Sequence, residues 1–128
     1  MTKSENTPAA TFSMIVAHVI TEKWKLSGQS MMIFYNSTGI SQPSWSRLAR
    51  GQTRFDIEDL RIIEKQANIG VMDVLNEAFQ VEQKAKLEGI KIIEPYTTQN
   101  KADLQKAGVA IVAGAVLAFL AVQAIKAK

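Results

Sequence analysis

A chain of 128 residues, 47% hydrophobic and 21% charged, has room for one domain with appendages and is too apolar to be disordered throughout. With no cysteine, disulfides and thiolate metal sites are excluded, and a single histidine leaves little for a transition-metal centre. The formal charge of +3 is unevenly placed: residues 1–84 set nine Lys/Arg against nine Asp/Glu, and residues 85–128 set six lysines against three acids.

Residues 1–7 read as a polar N-terminal tail. One lysine, Glu5 and an apolar stretch interrupted by His18 make a poor signal peptide. Thr7-Pro8 predicts a helix start, because Thr caps and Pro suits a first turn. Phe12, Ile15, Val16, Val19, Ile20 and Trp24 then recur at helical spacing. His18 lies on this helix among apolar neighbours, the setting of a structural histidine. Ser27-Gly28 ends the helix. Ser30 is placed to cap a short second helix, MMIFYNS, which Gly39 closes. Ser41 caps a third, QPSWSRLA, with Pro43 in its first turn and Gly51 beyond its end. Asp56, with Asp59 three residues on, predicts a capping box for a fourth helix that buries Ile57, Leu60, Ile63 and Ala67. Asn68 to Gly70 break it. A fifth starts near Val71 and buries Val74, Leu75, Ala78 and Phe79.

Charge separates along these helices. From Lys25 to Phe55 the sequence holds Lys25, Arg47, Arg50 and Arg54 and no acid, whereas from Asp56 to Glu82 seven acids meet two bases. A basic zone of this kind suits a polyanion.

The segment SMMIFYNSTGISQPSWSRLARGQ, residues 30–52, joins two short helices through a glycine turn. Together with the following TRFDIEDLRIIEKQANI it resembles the helix-turn-helix of the phage-repressor family (Cro and lambda-repressor-like proteins, the XRE family). The resemblance covers roughly residues 10–80. Gly39 matches the turn glycine and Ser41-Gln42 the start of the recognition helix. Leu48 matches a core position, Arg50-Gly51 the helix end, and Ile57, Leu60 and Ile63 the fourth helix. Tyr35 stands where the family usually has Ala, and Trp45 where it has Val or Ile; both positions face inward between the two helices.

The resemblance implies a recognition helix in the major groove, where Gln pairs with adenine and Arg with guanine. Gln42, Ser44, Ser46 and Arg47 are the expected base-contact residues. Ser30, Ser41, Arg50, Gln52, Thr53 and Arg54 are the expected phosphate contacts. Trp45 is expected in the core. No Gly-rich phosphate loop or nucleophile–base arrangement is visible, so no enzyme activity, cofactor, metal or small-molecule substrate is expected.

Residues 85–100 read as an extended linker, since Ile90, Ile92 and Ile93 are β-branched and Pro95 rules out a helix interior. Asn100 then predicts the cap of a last helix over 101–128. Its segment 107–125, AGVAIVAGAVLAFLAVQAI, has nine strong hydrophobes, seven Ala, two Gly and one Gln. As one helix it would be about 28 Å long at ~1.5 Å per residue. That nearly matches a hydrocarbon core of about 30 Å, and lysines flank it. Ala110, Gly114 and Ala118, four apart, would form a stripe for helix–helix packing.

The expected fold class is therefore all-α: a five-helix lambda-repressor-like domain over residues 8–84, the linker, and a transmembrane C-terminal helix. The expected function is a sequence-specific DNA-binding transcriptional regulator, a repressor, working as a homodimer on double-stranded DNA. Its DNA-binding domain would be cytoplasmic and its tail held in the lipid of the inner membrane. The alternatives are a membrane-anchored protein-interaction module of RodZ-like type, or a soluble repressor whose tail is an oligomerisation helix.

Overall fold

The computed structural model describes residues 7–126, so the tail reading for residues 1–6 lies outside the described residues. Five helices run through the first part: α1 (Phe12–Lys25), α2 (Met31–Thr38), α3 (Gln42–Ala49), α4 (Ile57–Ala67) and α5 (Val71–Leu87). Around them are strands β1 (Thr7–Thr11), β2 (Lys91–Ile93) and β3 (Val109–Ile111), a 3-10 turn at Thr98–Asn100, and helices α6 (Lys101–Lys106) and α7 (Gly114–Lys126).

Helix α1 is the centre. It buries Met14, Ile15, Val16, Ala17, Val19, Ile20 and Trp24, so apolar contacts surround it rather than line one stripe. It packs against β1, α3, α5 and α7. The Lys23 ammonium, 2.8 Å from the buried Glu77 carboxylate, ties α1 to α5 by charge as well. Local signals set the helix ends. The Asp56 carboxylate accepts from the backbone N–H of Asp59 at 2.8 Å, and Asp59 returns the contact, closing the box at the head of α4. Asn68 ends that helix in the left-handed conformation, which Asn tolerates better than most residues.

The protein is not all-α. The three strands form a parallel sheet in the order β2-β1-β3, with Ala10 opposite Ile92 and Pro8 opposite Ala110. The expected helix start at Thr7-Pro8 is corrected: these residues open the central strand, and α1 begins at Phe12. Its cap is Thr11, whose hydroxyl accepts from the Met14 N–H at 3.0 Å. Proline is tolerated in this central strand for a geometric reason. The Thr7 N–H donates to Gly108 and the Ala9 carbonyl accepts from Val112, so residues 7 and 9 face β3. Alternation turns the Pro8 nitrogen to the other side, one position before the ladder with β2 opens at Ala9.

The linker is corrected too. Helix α5 continues to Leu87, Gly89 turns the chain at φ +86°, and β2 joins the sheet beside β1. Tyr96, just beyond, is buried, and its N–H donates to the Gly51 carbonyl at 2.9 Å.

The largest correction concerns 107–125, which is not one helix. Helix α6 ends at Lys106, Gly108 reverses the chain at φ +78°, and the β-branched Val109 and Ile111 pair with β1 as β3. Helix α7 follows and buries Leu117, Leu120, Ala121 and Ala124 against α1 and α5. Among the described residues no helix is long and apolar enough to cross a membrane, so the transmembrane expectation is overturned. The apolar composition serves a protein core instead. Asn100 occupies the N-cap position of α6, yet its side chain turns back to accept from the Thr97 N–H at 2.7 Å.

His18 meets α7 at its first residue. A Cβ added to Gly114 would stand 3.1 Å from His18 Cε1, a tight contact that the imidazole would have to yield to by a few tenths of an ångström. Burial holds the imidazole pKa below its ordinary value of 6.5; the Glu22 carboxylate one turn on opposes this, and Lys25 adds to it. The buried Nε2 has no hydrogen-bond partner among the described residues.

Two outcomes follow from this packing. Leu117→Ala should cost about 2–5 kcal/mol of stability, read by thermal or urea unfolding, because the side chain is fully buried. A tail independent of the core would leave the transition where it is. For His18, the unfolded chain takes up its proton at a higher pH than the folded one. Stability should therefore be full above pH 6.5 and fall as the pH drops from there through the lowered folded value. His18→Gln, compared by unfolding at pH 7.5 and 5.5, should flatten that fall; an unchanged slope would place the dependence elsewhere.

Candidate nucleic-acid interface

The α2–turn–α3 unit is set by local chemistry. Trp24 Nε1 donates to the Ser30 carbonyl at 3.0 Å and so fixes where α2 begins. The Thr38 hydroxyl donates to the Phe34 carbonyl at 2.9 Å and accepts from the Ile40 N–H at 3.2 Å, bracing the turn. Between them Gly39 adopts φ +77°. Ser41 then caps α3 by accepting from the Ser44 N–H at 3.2 Å, with Pro43 in the first turn.

An aromatic chain holds the two helices. Phe34 is fully buried, with its ring centroid 5.4 Å from Trp24 and 4.9 Å from Trp45. Trp45 continues edge-on to Phe55 at 5.6 Å. Trp45 is thus in the core, and it is Phe34 that fills the space between the helices. Tyr35 is only half-buried, its ring 6.1 Å from Phe34.

With Trp45 and Leu48 fastened inward, α3 turns Gln42, Arg47 and Arg50 to the exterior, and all three are exposed. Ser44 and Ser46 are half-buried. Ser44 is engaged within the helix: Ser41 Oγ lies 2.9 Å from its hydroxyl, and Arg47 Nη2 donates to it at 3.3 Å. This last contact steers the Arg47 guanidinium toward the N-terminal half of α3. A groove of about 410 Å3 runs from the turn along α3 to α4, and Ser41, Ser44, Arg47, Thr53 and Arg54 all line it. Gln52 and Thr53 are half-buried in the loop after α3, and Ser30 is exposed at the head of α2 without a side-chain cap bond. Most of the expected contact set therefore falls along α3 and the segments at its two ends.

The packing stripe is not assembled. Ala110 lies in β3, whereas Gly114 starts α7 against His18 and Ala118 lies further along that helix.

Two acids enter this zone that its sequence does not contain. Glu94, just after β2, pairs with Arg54 at 3.3 Å, both side chains exposed. Asp59, at the head of α4, lines the groove with Arg47 and Arg54, and burial raises its carboxyl pKa, helped by the Asp56 charge and opposed by a backbone hydrogen bond. The zone is acid-free along the chain but not in space. Nothing in the sequence pairs Glu94 with Arg54; that proximity depends on β2 returning alongside β1.

No protein-family model matches the chain, and comparison with curated proteins and with solved structures gives no match.

Proposed function

We propose that this protein is a sequence-specific double-stranded DNA-binding regulator of the helix-turn-helix type, a repressor that reads its operator with α3. The observation that carries the reading is the anchoring of α3. Buried Trp45 and Leu48 hold one side, and exposed Gln42, Arg47 and Arg50 occupy the other, with a groove lined by Arg47, Arg54 and Asp59 beside them. Gln42 and Arg47 are the base readers, Gln for adenine and Arg for guanine, with Ser44 and Ser46 beside them. Ser30, Ser41, Arg50, Gln52, Thr53 and Arg54 meet the backbone and supply affinity without sequence preference. Two copies on a two-fold site suit this class of reader.

The test is binding to duplexes selected by the wild-type protein from a random library, measured at several salt concentrations. Gln42→Ala with Arg47→Ala should lose preference for the selected site by about 1–3 kcal/mol per base contact removed while keeping weak binding to random DNA. Unchanged preference would overturn this docking. Glu94→Gln should act oppositely, tightening binding to every sequence by about twofold to fivefold at low salt, because it frees Arg54 for phosphate. That gain should fade as salt rises. A wild-type protein that retains no duplex at low salt would instead favour a protein-interaction module.

A further inference from the structure

Beside the groove between α3 and α4 lies a second one, of about 350 Å3, between α2 and the start of α3. Tyr35, Asn36 and Gln42 bring polar groups to it, Met32 and Ile40 line it with apolar surface, and no acidic side chain lines it. Tyr35 is the unusual member. Its ring is held from the core side, edge-on to Phe34, which in turn holds Trp45 of α3. The phenol is thus positioned by the same aromatic chain that positions the recognition helix, and it borders the space next to Gln42. Among the described residues its hydroxyl has no hydrogen-bond partner.

We propose that Tyr35 is a DNA-binding residue whose hydroxyl donates to a backbone phosphate oxygen flanking the base pair met by Gln42. The inference rests on the DNA-binding reading above. Three points of chemistry support it. A neutral O–H donor in a groove without carboxylates is compatible with an approaching polyanion. A phenol, with an ordinary pKa of 10.0, keeps its proton at neutral pH, and burial only raises that value further. A ring packed on one side loses little freedom when its hydroxyl engages, unlike a long lysine or arginine. Tyr35 would then set the register of α3 on the duplex, so that the Gln42 amide meets a base edge rather than a sugar.

Tyr35→Phe tests this cleanly, because it keeps the ring contacts and removes only the hydroxyl. The probes are a duplex selected by the wild-type protein and a series of the same duplex, each with one phosphate replaced by an uncharged methylphosphonate. The expected result is about tenfold weaker binding of Tyr35→Phe to the unmodified duplex. At one methylphosphonate position the wild type should lose a similar factor and Tyr35→Phe should lose nothing further. Equal binding by the two proteins would overturn the assignment while leaving the DNA-binding reading in place. So would a Tyr35→Phe deficit that persists undiminished at every modified phosphate. A wild-type protein that binds no duplex at low salt would remove the DNA-binding reading itself, and this inference with it.

Discussion

The side chains of α1 leave almost no face to water, so each neighbouring element must supply an apolar complement. Helices α3, α5 and α7 and strand β1 do so. A central helix of this kind cannot be stable on its own in water, because apolar surface left open costs about 25 cal/mol per Å2. Helix α3 and the C-terminal segment are thereby joined in one core. Leu117, Leu120, Ala121 and Ala124 cover part of α1 and α5, and Trp45 and Leu48 lie in the same cluster as α1's buried side chains. What looks like an appendage in the chain is a structural layer.

Gly51 is the point where α3, the start of α1 and the segment after β2 meet. It follows α3 at φ +81°, its carbonyl receives the Tyr96 N–H, and an added Cβ would come within 2.8 Å of Met14 Sδ. Both the backbone conformation and the space demand glycine there. The residue that stops α3 therefore also fixes its end against the N-terminal turn of α1 and the segment after β2. The docking proposed for α3 would gain precision from this arrangement, since a helix whose end is held by buried partners has less freedom to rotate its exposed side chains.

Much of the helical part was legible because its signals are local. The Asp56–Asp59 box, the Ser41 cap and the Gly39 turn each depend on residues a few positions apart. The sheet was not legible for the opposite reason. Strands β2 and β3 are three residues each, and their partner β1 lies more than 80 positions away in the chain. Thr7-Pro8 carries a sound local helix-start signal, yet two flanking strands supply the N–H and C=O partners that make it a strand. Segment 107–125 was misread because hydropathy reports that a stretch avoids water, not what covers it. Gly108 and the β-branched pair Val109 and Ile111 were the available signs of a break, and uniform apolar composition masked them.

The same long-range return of the chain governs the electrostatics of the candidate interface. Arg54 is isolated from acids along the sequence but meets Glu94 through β2, and Arg47 shares its groove with Asp59. An exposed pair such as Arg54–Glu94 is screened by water and holds its partners only weakly, so phosphate can displace it. It nevertheless lowers the positive field over that part of the surface. Arg50 is not part of such a pair among the described residues, and Arg47 donates to the neutral Ser44 hydroxyl. On the DNA-binding proposal, the Glu94 pairing would weaken nonspecific attraction at the loop, while Arg47 and Arg50 stand outside any ion pair among the described residues. Such a distribution would suit the proposed reader of sequence, because affinity gained away from α3 adds equally to every site.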